Sequence, residues 1–165
     1  MARRSLPSFF VIALFALYAP SFARNTVFVP GASASADEFR IFDLINRERE
    51  RMRLSPLGWD DQLADFARSY SVRMARGGFF DHEDRSGNYV NQRAEEAGIT
   101  HWRRIGENLF VCEGIRNVSG FAVDQWMNSD THRQNILDRK YNVTGIGMAR
   151  DRNGRIYITE VFIQN

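Results

Sequence analysis

The sequence predicts an α+β layered domain with an antiparallel sheet. Three observations lead there. Segments of helical period occupy 36–52, 60–77, 90–97 and 119–129. Two strand-like runs, 143–149 and 155–163, close the chain and are joined by Asp151-Arg152-Asn153-Gly154, whose Asn-Gly pair signals a hairpin. The chain carries no internal repeat and no low-complexity tract. Helices followed by a hairpin are the pattern of an α+β layered domain.

Each element has a local cause. Ser35-Ala36-Asp37-Glu38 fits a capping box that opens the first helix. Apolar residues follow at 41, 44, 45 and 52, and Ser55-Pro56 stops the helix. Arg47, Arg49, Arg51 and Arg53 alternate with Glu48 and Glu50 and read as a solvated helix face. Trp59-Asp60 opens the second helix with Asp60 as N-cap. Leu63, Ala67, Tyr70 and Met74 line its inner face, and Gly77-Gly78 ends it. A polar loop over 79–90 carries His82. A short helix ends at Gly98, and 105–111 is extended. Ser119 caps a helix with Ala122, Val123 and Trp126 inward, and the stretch SDTHRQNIL over 129–137 reads as a turn. Trp59 and Trp126 read as core.

The N-terminus differs from the rest. Residues 1–23, MARRSLPSFFVIALFALYAPSFA, combine Arg3 and Arg4, an uncharged apolar run and the small-residue end Ser21-Phe22-Ala23. That is the pattern of a secretory signal peptide, and the run is too short to span a membrane. The expected organisation is a signal peptide over 1–23, a linker over 24–36 and one domain over 37–165, secreted or periplasmic. The formal charge of +2 belongs to the signal segment, since 24–165 holds 20 basic and 20 acidic side chains. No basic patch suited to nucleic acid is evident. The lone cysteine, Cys112, leaves no internal disulfide.

Three residues are candidates for chemistry: His82 in GFFDHED, Glu107 in IGENLF and His132 in SDTHRQNIL. Only the tertiary fold could bring them together. His82-Glu83 opens like HExxH but lacks the second histidine, and no G-x-S-x-G elbow or phosphate-binding glycine loop is present. Each candidate also admits a structural reading: His82 as a turn cap, Glu107 as an acceptor for backbone donors, His132 as the cap of a short turn. Asn108 and Asn135 read as bonding loop backbone.

Five pieces in order, INRER, LSPLGWDDQLADFARSYSVRMARGGFFDH, GENLF, AVDQWMNSDTHRQNIL and TGIGMARDRNGRIYITEVF, resemble the CAP superfamily, also called the SCP or pathogenesis-related-1 domain. The form HRQNIL and the missing cystines are similar to its bacterial branch. The resemblance implies a three-layer α-β-α sandwich with a central, mainly antiparallel sheet and a cleft holding two histidines and two acids. Carried over, these are His82, His132 and Glu107. The second acid's position holds Ser129, with Asp130 next to it. The implied ligands are a divalent metal, zinc foremost, held by His82, His132 and Glu107, and a lipid or cell-envelope partner. The implied function is a secreted binding module; the alternative is a metal-assisted hydrolase or protease in the same cleft.

Overall fold

The computed structural model describes residues 35–165; the signal-peptide pattern and most of the linker lie outside them. The elements run α1 (Ala36–Arg51), β1 (Gly58–Trp59), α2 (Asp61–Gly77), α3 (Val90–Glu96), β2 (Arg104–Cys112), α4 (Val118–Met127), α5 (Asp130–Leu137), β3 (Val143–Arg150) and β4 (Ile156–Gln164). The sheet order is β1-β3-β4-β2, with β1 parallel to β3 and the other pairs antiparallel.

β4 lies inside the sheet and is buried from Ile156 to Ile163, so its sequence is nearly continuous in apolar residues. Alternate side chains serve two cores. Ile158 and Phe162 join Ile146 under α1, α4 and α5. Val161 and Ile163 join Leu63, Phe66 and Ala67 of α2 and Ala94 of α3. The result is the expected three-layer sandwich, its strands alternating between two buried faces.

Local chemistry sets the boundaries. The Ser35–Glu38 capping box forms in full. Asp60 accepts from the Leu63 amide at 2.8 Å, and Gly78 ends α2 with φ 64°. Gly154 turns the hairpin at φ 89° while Asp151 accepts from the amides of Asn153 and Arg155. α2 crosses β3 closely. A Cβ on Gly147 would lie 1.9 Å from the Arg68 nitrogen, and one on Gly145 2.2 Å from that of Ala64.

Four expectations are corrected. SDTHRQNIL is a helix, α5, rather than a turn; its cap position is Ser129, which breaks it from α4. Ser119 does not cap α4. Asn117 does, accepting from Gly120, while Ser119 is buried and donates to the Asp37 carboxylate at 2.9 Å. Trp59 belongs to β1 and is only half-buried, packed on Phe39 and Phe42. Arg49 is not on a solvated face. It is buried and donates to the carbonyls of Ser55, Ile136, Asp138 and Tyr141. Cys112 is free at the end of β2. Among the described residues no helix is long and apolar enough to cross a membrane.

Candidate functional site

β2 is an edge strand, and consecutive strand residues point to opposite faces. Glu107 therefore faces the α2–α3 layer and Asn108 the α4–α5 layer. The first brings in the loop that carries His82, and the second brings in the helix that carries His132.

On the first side, His82 Nδ1 lies 2.8 Å from Glu107 Oε1, and Arg93 Nη2 donates to Glu107 Oε2 at 2.7 Å. The Arg93 guanidinium stacks 3.4 Å above the Tyr70 ring and also reaches the His82 carbonyl at 3.3 Å. The Tyr70 hydroxyl donates to the Asp81 carbonyl at 2.6 Å. Burial pushes the Tyr70 phenol up to about 12, so it remains a donor. α2 and α3 thus hold the backbone of Asp81 and His82 from two sides. Asp84 closes the loop, accepting from the amides of Ser86 and Asn88 and pairing with Arg73 at 3.0 Å.

On the second side, Asn108 donates to the His132 carbonyl at 3.2 Å. Asn135 donates to the Glu107 carbonyl at 3.2 Å and to Asn108 Oδ1 at 2.9 Å. These bonds stitch α5 onto β2. His132 Nδ1 lies 2.9 Å from Ser129 Oγ. Burial, and next the charge of His82, lower the His132 pKa. Asp130 does not join them. Its side chain is 81% exposed and pairs with Arg133.

Comparisons with known proteins show the family and the fold. The model of the CAP, or Cysteine-rich secretory protein, family matches residues 42–165. The chain belongs to the CAP family. The protein YkwD of Bacillus subtilis (strain 168), described as uncharacterized, is 34% identical over 139 residues, 84% of this chain and 51% of its own. An extracellular SCP-domain protein from Bacillus anthracis superimposes with a TM-score of 0.66 at 28% identity, over 78% of this chain and 40% of that one. This CAP chain thus spans about half the length of YkwD and less of the anthrax protein. A structure of NaASP2 described as containing Zn2+ superimposes with a TM-score of 0.60 at 12% identity, over 81% of this chain and 82% of that one; this likeness is one of fold.

What this CAP site offers a cation follows from its hydrogen bonds. Each histidine has its Nδ1 against an oxygen, Glu107 Oε1 or Ser129 Oγ, and among the described residues neither Nε2 has a hydrogen-bond partner. A neutral ring donating through Nδ1 has its lone pair on Nε2, the form that binds metal. Imidazole nitrogen is a donor type suited to divalent first-row ions. Glu107 has each oxygen engaged, by His82 and by Arg93. Among the described residues no group of three or more His, Cys, Asp or Glu side chains is arranged to hold an ion.

Arg93 and Tyr70 were not among the residues singled out for chemistry. A signal for Arg93 exists: positions 90, 93, 94 and 97 form one helical stripe, so the arginine stands in an otherwise apolar row.

Proposed function

We propose that this CAP domain is an exported binding module that takes a divalent cation, zinc in the first place, between His82 and His132. The observation that carries this reading is the matched pair of rings, each with Nδ1 against an oxygen at 2.8 or 2.9 Å. Glu107 fixes His82 from behind, as carboxylates commonly fix metal-bound histidines. Ser129, in the second acid's place, serves His132 in the same way with a neutral hydroxyl. The lowered pKa of His132 supports the reading, because only the neutral ring binds metal. A bound zinc ion would supply Lewis acidity and an ordered water, and the chain's own residues hold the imidazoles. Export is supported by the signal-peptide pattern of residues 1–23 and by the extracellular relative.

The test is calorimetric titration of zinc into the purified protein beside His82→Ala and His132→Ala. The expected result is a one-to-one isotherm lost in both variants while their circular dichroism is unchanged. Absence of heat in the wild type, or full binding in both variants, contradicts the reading.

A further inference from the structure

We propose that the end of the fold where β2 begins and β4 finishes is a docking surface for an anionic phospholipid bilayer. The proposal does not depend on the cation reading of His82 and His132.

Three stretches remote in sequence meet at this end. Arg49 is buried near the end of α1 and donates to the carbonyls of Ile136, Asp138 and Tyr141. Arg51, Met52 and Arg53 therefore leave α1 beside residues 138–141. Arg104 pairs with Asp138 at 3.6 Å, and the Arg103 amide donates to the Gln164 carbonyl at 2.7 Å. Arg104 stands opposite Gln164 in the β2–β4 register, and Val143 opposite Ile163 in the β3–β4 register. The start of β2 and the start of β3 are thus two strand spacings apart, about 10 Å, across β4.

The assembled surface is basic. Arg51, Arg53, Arg103, Arg104, Arg139 and Lys140 are all exposed. The same stretches carry three acids, Glu48, Glu50 and Asp138. Glu48 pairs with Arg51, and Asp138 with Arg104. Six exposed cations against three acids sit at one end of a chain whose residues 24–165 hold 20 basic and 20 acidic side chains. No single run of the sequence shows this excess, because the cations come from separate stretches. Most of them are arginines, whose planar fork matches phosphate oxygens.

Met52 favours a bilayer over a dissolved polyanion. It stands between Arg51 and Arg53 and is 57% exposed, more than any other large apolar side chain among the described residues. A polyanion in water offers it nothing apolar. A bilayer takes cations at its headgroups and apolar side chains just beneath them.

The experiment is sedimentation of the purified protein with vesicles of equal parts phosphatidylglycerol and phosphatidylcholine, beside vesicles of phosphatidylcholine alone. Any apolar contribution of residues 1–23 is common to wild type and every variant. Each Lys or Arg at an anionic membrane is worth about fivefold in binding. Wild type is expected to prefer the anionic vesicles by at least about 25-fold. That preference is expected to vanish in about 1 M salt, where the screening length falls to about 3 Å. Arg103→Gln with Lys140→Gln is expected to bind the anionic vesicles about 25-fold more weakly, and Met52→Ser at least about threefold more weakly. Arg116→Gln with Arg152→Gln removes two exposed arginines at the opposite end, where β2 finishes and β4 begins, and is expected to bind like wild type. Circular dichroism checks that each variant folds. Equal binding of wild type to the two kinds of vesicle overturns the proposal. So do equal losses in the two double variants, because the charge effect would then be diffuse. Unchanged binding by Met52→Ser, with inorganic polyphosphate bound as tightly as the anionic vesicles, overturns the bilayer in favour of a dissolved polyanion.

Discussion

Arg93 and Glu107 form a buried ion pair at 2.7 Å that ties α3 to the edge strand β2. His82 closes on the same carboxylate from the loop before α3. A helix, a strand and a loop thus meet at one anion. Removing one partner of a buried pair leaves an uncompensated charge and costs about 3–5 kcal/mol. Arg93→Met is expected to lose that much stability in urea unfolding and to regain part of it when Glu107→Gln is added. A loss below about 1 kcal/mol, the range of exposed pairs, contradicts the pair's structural weight.

His132 makes stability depend on pH. Burial and the charge of His82 lower its folded pKa below the ordinary 6.5. Between the folded value and 6.5 the unfolded chain binds more protons. Stability therefore rises with pH through that window and is lost on acidification. Urea midpoints at about pH 5 and about pH 7.5, for wild type and His132→Gln, check this. The wild type is expected to lose ground to the variant at the lower pH. An equal gap at both contradicts it.

Glu160 acts in the opposite sense. It is fully buried in β4, accepts from Thr144 Oγ1 at 3.3 Å, and has the Asn108 side chain against its carboxyl group. Burial raises its pKa well above 4.5. The unfolded chain releases this proton at 4.5 while the folded chain keeps it. The stabilising contribution is full below 4.5 and is lost as pH rises through the folded value. Glu160→Gln, neutral at every pH, is expected to gain stability relative to wild type as pH is raised from about 4.5 to about 8. A difference that does not change with pH contradicts the assignment of a buried neutral acid.

The glycines of TGIG seat α2 on the sheet. Gly147→Ala would place its Cβ 1.9 Å from the Arg68 nitrogen, a backbone atom that cannot swing aside. The expected loss is at or above about 3 kcal/mol, the upper range for overpacking. Gly58→Ala, whose Cβ would meet only the Asn142 carbonyl oxygen at 3.7 Å, is expected to lose less. Comparable losses contradict the close approach as the cause.

The legible parts of the fold were those with a local cause. Ser35, Asp60, Gly78 and Asn153-Gly154 act on neighbours within a few residues, and each forms the cap or turn expected. α5 was missed because it is short and polar, burying only Ile136. Arg49 was misread because alternating charge suggested solvent. Yet 38, 41, 45 and 49 form one stripe of α1, and Glu38 and Arg49 are buried in it with Ile41 and Ile45. Glu38 spans from there to Arg68 at 2.9 Å and to the Met148 amide at 2.8 Å. Glu160 stands inside an apolar strand in the same way. A charged residue in an apolar row marks a long-range partner, but the row does not name that partner. His82, Glu107 and His132 stood out by residue type, but that they share a cleft was implied only by the family resemblance, since their gaps exceed any local pattern. The pairing of Glu107 with Arg93 depends on two elements meeting in space.

The most direct test of the account is a long-range proton–nitrogen NMR spectrum of the two imidazoles, recorded at about pH 8 before and after zinc. Predicted is the tautomer protonated at Nδ1 in both rings, with both Nε2 signals moving on addition of one equivalent of zinc. Rings protonated at Nε2, or an Nε2 pair that zinc leaves unmoved, would contradict the central claim that Glu107 and Ser129 fix two histidines to face one cation.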